Sequence, residues 1–313
     1  MSLFKGTNVL ATGGAGFIGF HLCRGILELG ANVFIYDNLS TGKIKNVKDL
    51  PAQRVRFIKG DVRRLEKAEN KIEDCGIIFH LAAQCNVAYS MKNPVEDFEI
   101  NALGTLKVLE KARKMDARVI YASTSAVYGN PETTPTSEDY PLKPISFYGL
   151  SKIAGEEECL FHYRTYNLPV VMFRIFNVYG PRGHGVTSDF LHNLKKNPNE
   201  LRILGTSYQS RDFIYVSDVV DAFVVSAQSK KAIGQVYNLG SGTNISVRKL
   251  ADIMIELLGL KGTTRVSCTG GEAWAGDLKM NYADISKIQK DLNWKPKVQL
   301  VDGLRTFIRE EKA

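Results

Sequence analysis

Tyr148 and Lys152 stand four residues apart, and on a helix positions i and i+4 share one face. A phenol with its ordinary pKa near ~10 is a poor base at neutral pH. An ammonium on the same face favours the phenolate, which would make Tyr148 a general base with a lowered pKa. Such a pair also arises by chance on helices that only carry surface salt bridges, so its setting decides. Upstream, the apolar run Val119-Ile120-Tyr121-Ala122 reads as a buried strand and empties into Ser123-Thr124-Ser125-Ala126-Val127-Tyr128-Gly129. That places hydroxyls at a strand end, with Thr124 suited to hold a substrate hydroxyl or share a hydrogen bond with the phenol.

The setting is supplied by Thr12-Gly13-Gly14-Ala15-Gly16-Phe17-Ile18-Gly19. Asn8-Val9-Leu10-Ala11 before it reads as a short buried strand. Ile18, Leu22, Ile26 and Leu29 after it fall at helical spacing, with Gly30 as the C-cap. On such a turn Gly13 makes the tight bend, Gly16 lets backbone approach a pyrophosphate, and Gly19 permits close helix–strand packing. The first-turn N–H groups around Phe17 and Ile18, with the positive end of the helix dipole, favour a phosphate. The next strand, Asn32-Val33-Phe34-Ile35-Tyr36, ends in Asp37, 21 residues after Gly16. A carboxylate there accepts from an adenosine ribose and repels a 2′-phosphate, so the cofactor is read as NAD rather than NADP, although Lys43 and Lys45 nearby weaken the exclusion. An ordinary βαβ unit with an incidental acidic turn residue is the competing reading. With NAD present, the charge of its oxidised nicotinamide adds to that of Lys152 on Tyr148, and Lys152 can bond the nicotinamide ribose.

The elements between these stretches repeat one pattern. The polar loop Asn38-Leu39-Ser40-Thr41-Gly42 is suited to wrap the adenosine end. Val55-Arg56-Phe57-Ile58-Lys59-Gly60 is a third strand ending in Asp61-Val62, where Asp61 is either a partner for adenine nitrogens, a helix N-cap, or both. Ile77-Ile78-Phe79-His80-Leu81 is near-continuously apolar, as in a parallel sheet covered on both faces, and opens into Ala82-Ala83-Gln84, where a cofactor can cross the strand end. A long helix is expected from about Phe98 to Lys114, carrying Asn101 and Gly104. The alternation implies an α/β fold, a Rossmann-type doubly wound parallel sheet with right-handed crossovers, and its ligands bind beyond the carboxyl ends of the strands. From Gly180 the pattern turns irregular, so we expect an NAD-binding domain over 1–180, with 213–240 returning to it, and a smaller α/β substrate lobe over 181–313.

Composition bounds the rest. The 313 residues are 44% hydrophobic and 24% charged, as in a globular protein, with 41 basic against 33 acidic side chains. The basic residues are scattered in pairs without interleaved aromatics, which argues for an anionic small ligand and against nucleic acid. Five cysteines form no C-x-x-C pair and are read as free buried thiols of a reducing compartment. His184 and His192 lack metal-ligand spacing, so no metal is expected. Neither a signal peptide nor a membrane-length apolar run is visible, and the expected location is cytoplasmic.

With these residues placed, the chain resembles the extended short-chain dehydrogenases/reductases that act on nucleotide sugars, and within them the UDP-hexose 4-epimerases. The resemblance is carried by TGGAGFIG (12–19), DNLSTG (37–42), GDV (60–62), HLAAQ (80–84), STSAVYG (123–129), YGLSK (148–152), RIFNVYGPR (174–182), RDFIYVSDVV (211–220), YNLGSG (237–242) and GDLKMNYADISK (276–287). It implies Thr124, Tyr148 and Lys152 as catalytic residues. The implied NAD contacts are Gly13, Gly16, Phe17, Ile18, Asp37, Asn38, Ser40, Thr41, Gly42, Asp61, Val62, Leu81, Ala82, Ala83, Gln84, Asn101 and Ser123, with Phe176 flanking the nicotinamide. For the UDP-sugar it implies Asn177, Asp277 and Asn281 beside Thr124 and Tyr148, with Arg211 on the diphosphate, since a guanidinium fork matches phosphate oxygens. A turn role for Asn177 and a salt bridge from Arg211 to Asp212 or Asp218 are the alternatives.

The implied reaction is interconversion of UDP-galactose and UDP-glucose through a 4-keto sugar. Related dehydratases carry an Asp-Glu pair directly after the threonine; Ser125 and Ala126 stand there and cannot supply that acid and base. UDP-N-acetylhexosamine or UDP-glucuronate epimerisation and UDP-glucuronate decarboxylation stay open, and a non-catalytic NAD-binding module is the reading from another class. Two positions depart from the family pattern. Trp274-Ala275-Gly276-Asp277 replaces a diphosphate-gripping R-P-G-D, leaving stacking by Trp274, or Arg265 or Lys279, as substitutes, with core packing as the alternative reading of Trp274. Asn281 stands where some members carry a tyrosine, a change that makes room for an N-acetyl group. The resemblance also implies a homodimer through the helices around 98–114 and 148–165.

Overall fold

In the computed structural model the described residues are 3–271 and 280–311. The strands in chain order are β1 (Asn8–Thr12), β2 (Asn32–Asp37), β3 (Val55–Lys59), β4 (Ile77–His80), β5 (Arg118–Thr124), β6 (Val170–Ile175), β7 (Asn177–Tyr179), β8 (Glu200–Ile203), β9 (Ser210–Arg211), β10 (Phe213–Tyr215), β11 (Gln235–Leu239), β12 (Ile245–Ser246), β13 (Arg265–Cys268) and β14 (Met280–Asn281). Seven of them form one sheet in the order β11-β6-β5-β4-β1-β2-β3, and every pairing in it is parallel. The order reverses between β1 and β4, the switch point of a doubly wound sheet, where the strand ends part to form a crevice.

The strand sequences explain the two-sided burial. Alternate residues of one strand enter opposite faces of the sheet. Val9, Ala11, Val33, Ile35, Ile77 and Phe79 join one core with the helices Phe17–Glu28 and Val216–Gln228. Leu10, Phe34, Ile78, Val119, Tyr121 and Met172 join another with the helix Gly104–Met115. Past their first residues these strands leave almost no position to water, which is why they read as near-continuous apolar runs. A third core gathers Phe190, Leu194, Leu201, Phe213, Leu250, Met254, Leu304 and Phe307 from the second half of the chain.

Several sequence expectations are refined. β11 pairs with β6 at the edge of the main sheet, as anticipated. Phe213–Tyr215 instead pairs with β7 in a separate two-stranded ribbon, although Ile214 and the helix that follows do pack into the main core. The long helix expected from Phe98 is broken: Pro94–Phe98 is a short helix, Glu99–Leu103 a single π turn, and Gly104–Met115 the regular helix. A π turn adds a residue to the helical repeat, and this one rotates Asn101 inward, where it is 1% exposed. Of the five cysteines, Cys23, Cys75 and Cys159 are buried free thiols, but Cys85 and Cys268 are exposed. Among the described residues no helix is long and apolar enough to cross a membrane.

Candidate active site

The carboxyl ends of β1, β2, β4, β5 and β6 open into one cavity of about 740 Å³. Gly13 lies at its floor with φ +70°, and a Cβ there would stand 2.7 Å from the Ala82 nitrogen and 2.8 Å from the Leu81 carbonyl carbon. Only glycine lets the first turn pass so close under the β4 strand end. The helix Phe17–Glu28 then starts at Gly16 without a side-chain cap, so its first-turn N–H groups have no partner of their own and face the cavity. Asp37 is 7% exposed; its Oδ2 accepts from Ala15 N–H at 3.0 Å and its Oδ1 from Leu39 N–H at 2.7 Å. Burial raises its pKa, and these two bonds oppose the rise. A carboxylate has about four lone-pair positions, so capacity remains for two ribose hydroxyls. A bare helix N-terminus over a glycine without room for a side chain, with an acidic acceptor at the next strand end, fits a dinucleotide.

The catalytic candidates meet at the other end of the cavity. The helix Phe147–Tyr166 begins at Ser146, whose Oγ accepts from Gly149 N–H at 3.1 Å and fixes the first turn that carries Tyr148. Thr124 and Tyr148 both line this end of the cavity. Thr124 Oγ1 accepts from Ala126 N–H at 3.2 Å, which leaves its own proton available to the phenol. Lys152 is 2% exposed, with Nζ 4.2 Å from the centre of the Tyr121 ring. The expected lowering of the Tyr148 pKa is not a property of the protein alone. Burial raises the phenol, Cys85 and Asp97 add to the rise, and the Thr124 hydroxyl opposes it. Desolvation brings Lys152 itself down to about 8, which leaves it an ammonium at neutral pH.

Residues 10–307 match the family described as GDP-mannose 4,6 dehydratase. The UDP-glucose 4-epimerase of Mycolicibacterium smegmatis is 34% identical, over 94% of this chain and 95% of its own. The structure of the Thermotoga maritima UDP-glucose 4-epimerase with UDP-glucose superposes with a TM-score of 0.90 at 32% identity, over 97% of this chain and 98% of that one. The UDP-N-acetylglucosamine 4-epimerase of Methanobrevibacter ruminantium, solved with UDP-N-acetylmuramic acid, gives 0.91 at 30% identity over 99% of both chains. The chain belongs to the NAD-dependent nucleotide-sugar epimerases and dehydratases of the extended short-chain dehydrogenase/reductase family.

Most of the residues singled out in the sequence of this family member line its cavity. They include Phe17, Ile18, Asn38, Ser40, Thr41, Val62, Ala83, Gln84, Ser123, Phe176, Asn177, Arg211 and Asn281. Gly42 does not: it packs behind Asp37, where a Cβ would stand 2.9 Å from Oδ1. Asn101 also lies behind the lining. Its side chain accepts from Gln84 N–H and donates to Gln84 O, both at 2.9 Å, and donates to Ser151 Oγ at 3.1 Å. Asp61 caps the turn after β3 through Arg63 N–H at 2.9 Å and is gripped by the Arg63 guanidinium, which holds its pKa low. It lines the cavity while doing so. Asn177 donates to the Asp212 carbonyl at 3.2 Å, and Arg211 to the Ser210 carbonyl at 2.8 Å. The Asp212 carboxylate is taken by Ser241, Gly242 and Ala283, and that of Asp218 by Lys297 and Val298. Asn281 is 1% exposed; its Nδ2 donates to Ser125 Oγ at 2.9 Å, while its Oδ1 has no partner among the described residues. Asp277, Trp274 and Lys279 lie outside the described residues, and Arg265 is in β13, away from the cavity lining.

Sequence reasoning passed over His80, and the structure shows what it does. Thr105 Oγ1 donates to the Asn101 carbonyl at 2.5 Å, so it accepts from His80 Nε2–H at 3.0 Å. Nδ1 is therefore bare and accepts from the Thr12 hydroxyl at 2.7 Å, whose oxygen accepts from Ala82 N–H at 3.3 Å. This directed chain fixes the strand end that covers Gly13. Burial, with Lys152 nearby, lowers the His80 pKa to about 3. Unfolded, the imidazole takes a proton near 6.5, so between pH 6.5 and 3 the unfolded state binds the extra proton and stability falls as pH falls. The slope expected from His80 is up to about 1.4 kcal/mol per pH unit in that window. Urea unfolding from pH 7 to 4 should show a clearly flatter dependence for His80→Gln than for the wild type; parallel curves would refute the neutral, buried imidazole.

Proposed function

We propose that the enzyme interconverts UDP-galactose and UDP-glucose. The observation that carries this reading is the meeting of Thr124, Tyr148 and Lys152 in one dinucleotide-fitted cavity, with Ser125 and Ala126 following the threonine. NAD, when bound, supplies an acceptor and donor of hydride, so that the sugar passes through a 4-ketone, turns over, and is reduced on the opposite face. Tyr148 Oη takes the proton of the sugar 4-hydroxyl and returns it. Thr124, its oxygen occupied by Ala126 N–H, donates to that phenolic oxygen and steadies it as charge develops. Lys152 supplies the positive charge behind the phenol and a donor for the nicotinamide ribose. Arg211 is assigned to the diphosphate and Asn177 to the substrate. Ser125 is held by Asn281 and Ala126 has no ionisable group, so this edge offers no acid–base pair for eliminating water.

Proton NMR of the purified protein with UDP-galactose should show the UDP-glucose anomeric signal. Silence both before and after adding NAD would overturn the reading. Tyr148→Phe should lower turnover by ~10²–10⁴-fold while NAD is still bound.

Asn281 favours a second substrate. Its buried Oδ1 has no partner among the described residues, Asn281 lines the cavity, and an asparagine leaves more room than a tyrosine. An N-acetylated hexose would use both. Measurable turnover of UDP-N-acetylglucosamine, changed by Asn281→Gly, is expected; equal and negligible turnover by both proteins would remove this substrate.

The helices Gly104–Met115 and Phe147–Tyr166 leave Leu106, Leu150 and Phe161 exposed, with Leu103 beside them. Apolar side chains on two adjacent helices suit a second copy of the chain, and we assign the homodimer contact to them. Light scattering should give a dimer mass that Leu106→Glu/Phe161→Glu reduces to the monomer; a wild-type monomer at micromolar concentration would dismiss the contact.

A further inference from the structure

Asp97 is a buried acid that the chemistry above does not use. It is 0% exposed and sits in the short helix Pro94–Phe98 against the catalytic helix. Ser151 Oγ donates to its Oδ2 at 2.6 Å; Gln84 Nε2 and Asn101 Nδ2 donate to Oδ1 at 2.6 and 3.3 Å. All three donors are neutral, and among the described residues Asp97 forms no ion pair. A buried carboxylate is costly unless a counter-charge is near.

The neighbouring charges identify it. Glu156, 2% exposed, is matched by Arg174, whose guanidinium reaches both carboxylate oxygens at 2.8–3.1 Å. That pair is complete. Lys152 remains, buried over the Tyr121 ring and without a carboxylate in contact among the described residues. Tyr148, Ser151 and Lys152 fall at i, i+3 and i+4 on one helix face, and Ser151 ties that face to Asp97.

We propose that Asp97 is the counter-charge of Lys152 and a positioning residue of the reaction, keeping the ammonium charged beside Tyr148 and setting the pH range in which Tyr148 exchanges its proton. The proposal rests on the catalytic reading of Tyr148 and Lys152 given above. The other groups facing Lys152 do not supply this charge. Cys85 and Cys159 are thiols, and desolvation around their sulfurs raises the pKa of both. His80 is neutral, Tyr121 is a buried phenol, and Glu156 is offset by Arg174. Asp97 is among the groups that hold Lys152 up against desolvation, and it also pushes Tyr148 up. Removing its charge therefore lets both pKa values fall.

The pH profile of kcat/KM for UDP-galactose should move as a whole in Asp97→Asn. The two ionisations that govern it, those of Tyr148 and Lys152, should each shift down by about 1 unit. Limbs that stay in place under a lowered kcat, or that move up, would overturn the proposal. Urea unfolding supplies a readout that needs no substrate. Asp97→Asn should lower the unfolding midpoint in the wild type, and Lys152→Met should cancel at least half of that loss. Equal loss in both backgrounds would overturn the proposal. If Asp97→Asn alone does not fold, recovery of folded protein in the Asp97→Asn/Lys152→Met double variant is the supporting result, and failure to recover it the refuting one. A protein inactive on UDP-sugars would sink the catalytic reading while leaving the unfolding cycle to decide the ion pair.

Discussion

The close approach of two backbones governs the site. Gly13 turns beneath the peptide joining Leu81 and Ala82 with no space for a Cβ, and the cofactor cavity exists because the β1 and β4 ends are held at that separation. The contact is maintained from behind. Thr12, His80 and Thr105 form a chain of hydrogen bonds that ends on the Asn101 carbonyl, and Asn101 clamps Gln84 on the far side of the strand end. In this arrangement each hydroxyl has one direction to point, so the wall of the cavity is preorganised before any ligand arrives. The π turn at Glu99–Leu103 belongs to the same device, because a regular helix would carry Asn101 away from Gln84.

A second layer of organisation is electrostatic. Two cations and two anions, Lys152, Arg174, Asp97 and Glu156, are buried around the helix that carries Tyr148. Glu156 also accepts from Ser123 Oγ at 2.5 Å, which links the guanidinium pair to the strand end bearing Thr124. In such surroundings the phenol is held up and the ammonium is brought down, the reverse of what an isolated Tyr–Lys pair would suggest. The protein alone does not bring Tyr148 below its ordinary value; the charge of an oxidised cofactor would add to the favourable influences of Thr124 and Lys152. Proton transfer would then be coupled to cofactor occupancy, which guards a reactive group until both partners are in place.

Much of this was legible in residue order. The apolar runs, the glycine spacing, Asp37 at the end of the second strand and the hydroxyls after the fifth all follow from local rules of period, turn chemistry and strand-end position, and each is found where expected. His80 and Asp97 were not legible in that way. A histidine inside an apolar strand and an aspartate on a short helix carry no local signature; their partners lie 25 and 54 residues away, at Thr105 and Ser151. Gly42 and Asn101 were expected at the cofactor and instead support the residues that face it, since spacing reports which strand end a residue joins and not which side of the wall it occupies.

By itself the sequence determined the parallel, doubly wound sheet and the strand ends to which Thr124, Tyr148 and Lys152 belong, because periodicity and glycine turns act over a few residues. Tertiary structure alone decided the electrostatic state of that set, the tautomer of His80 and the pairing of the buried charges. Those depend on distance and desolvation between segments far apart in the chain, and neither quantity is written in the order of residues.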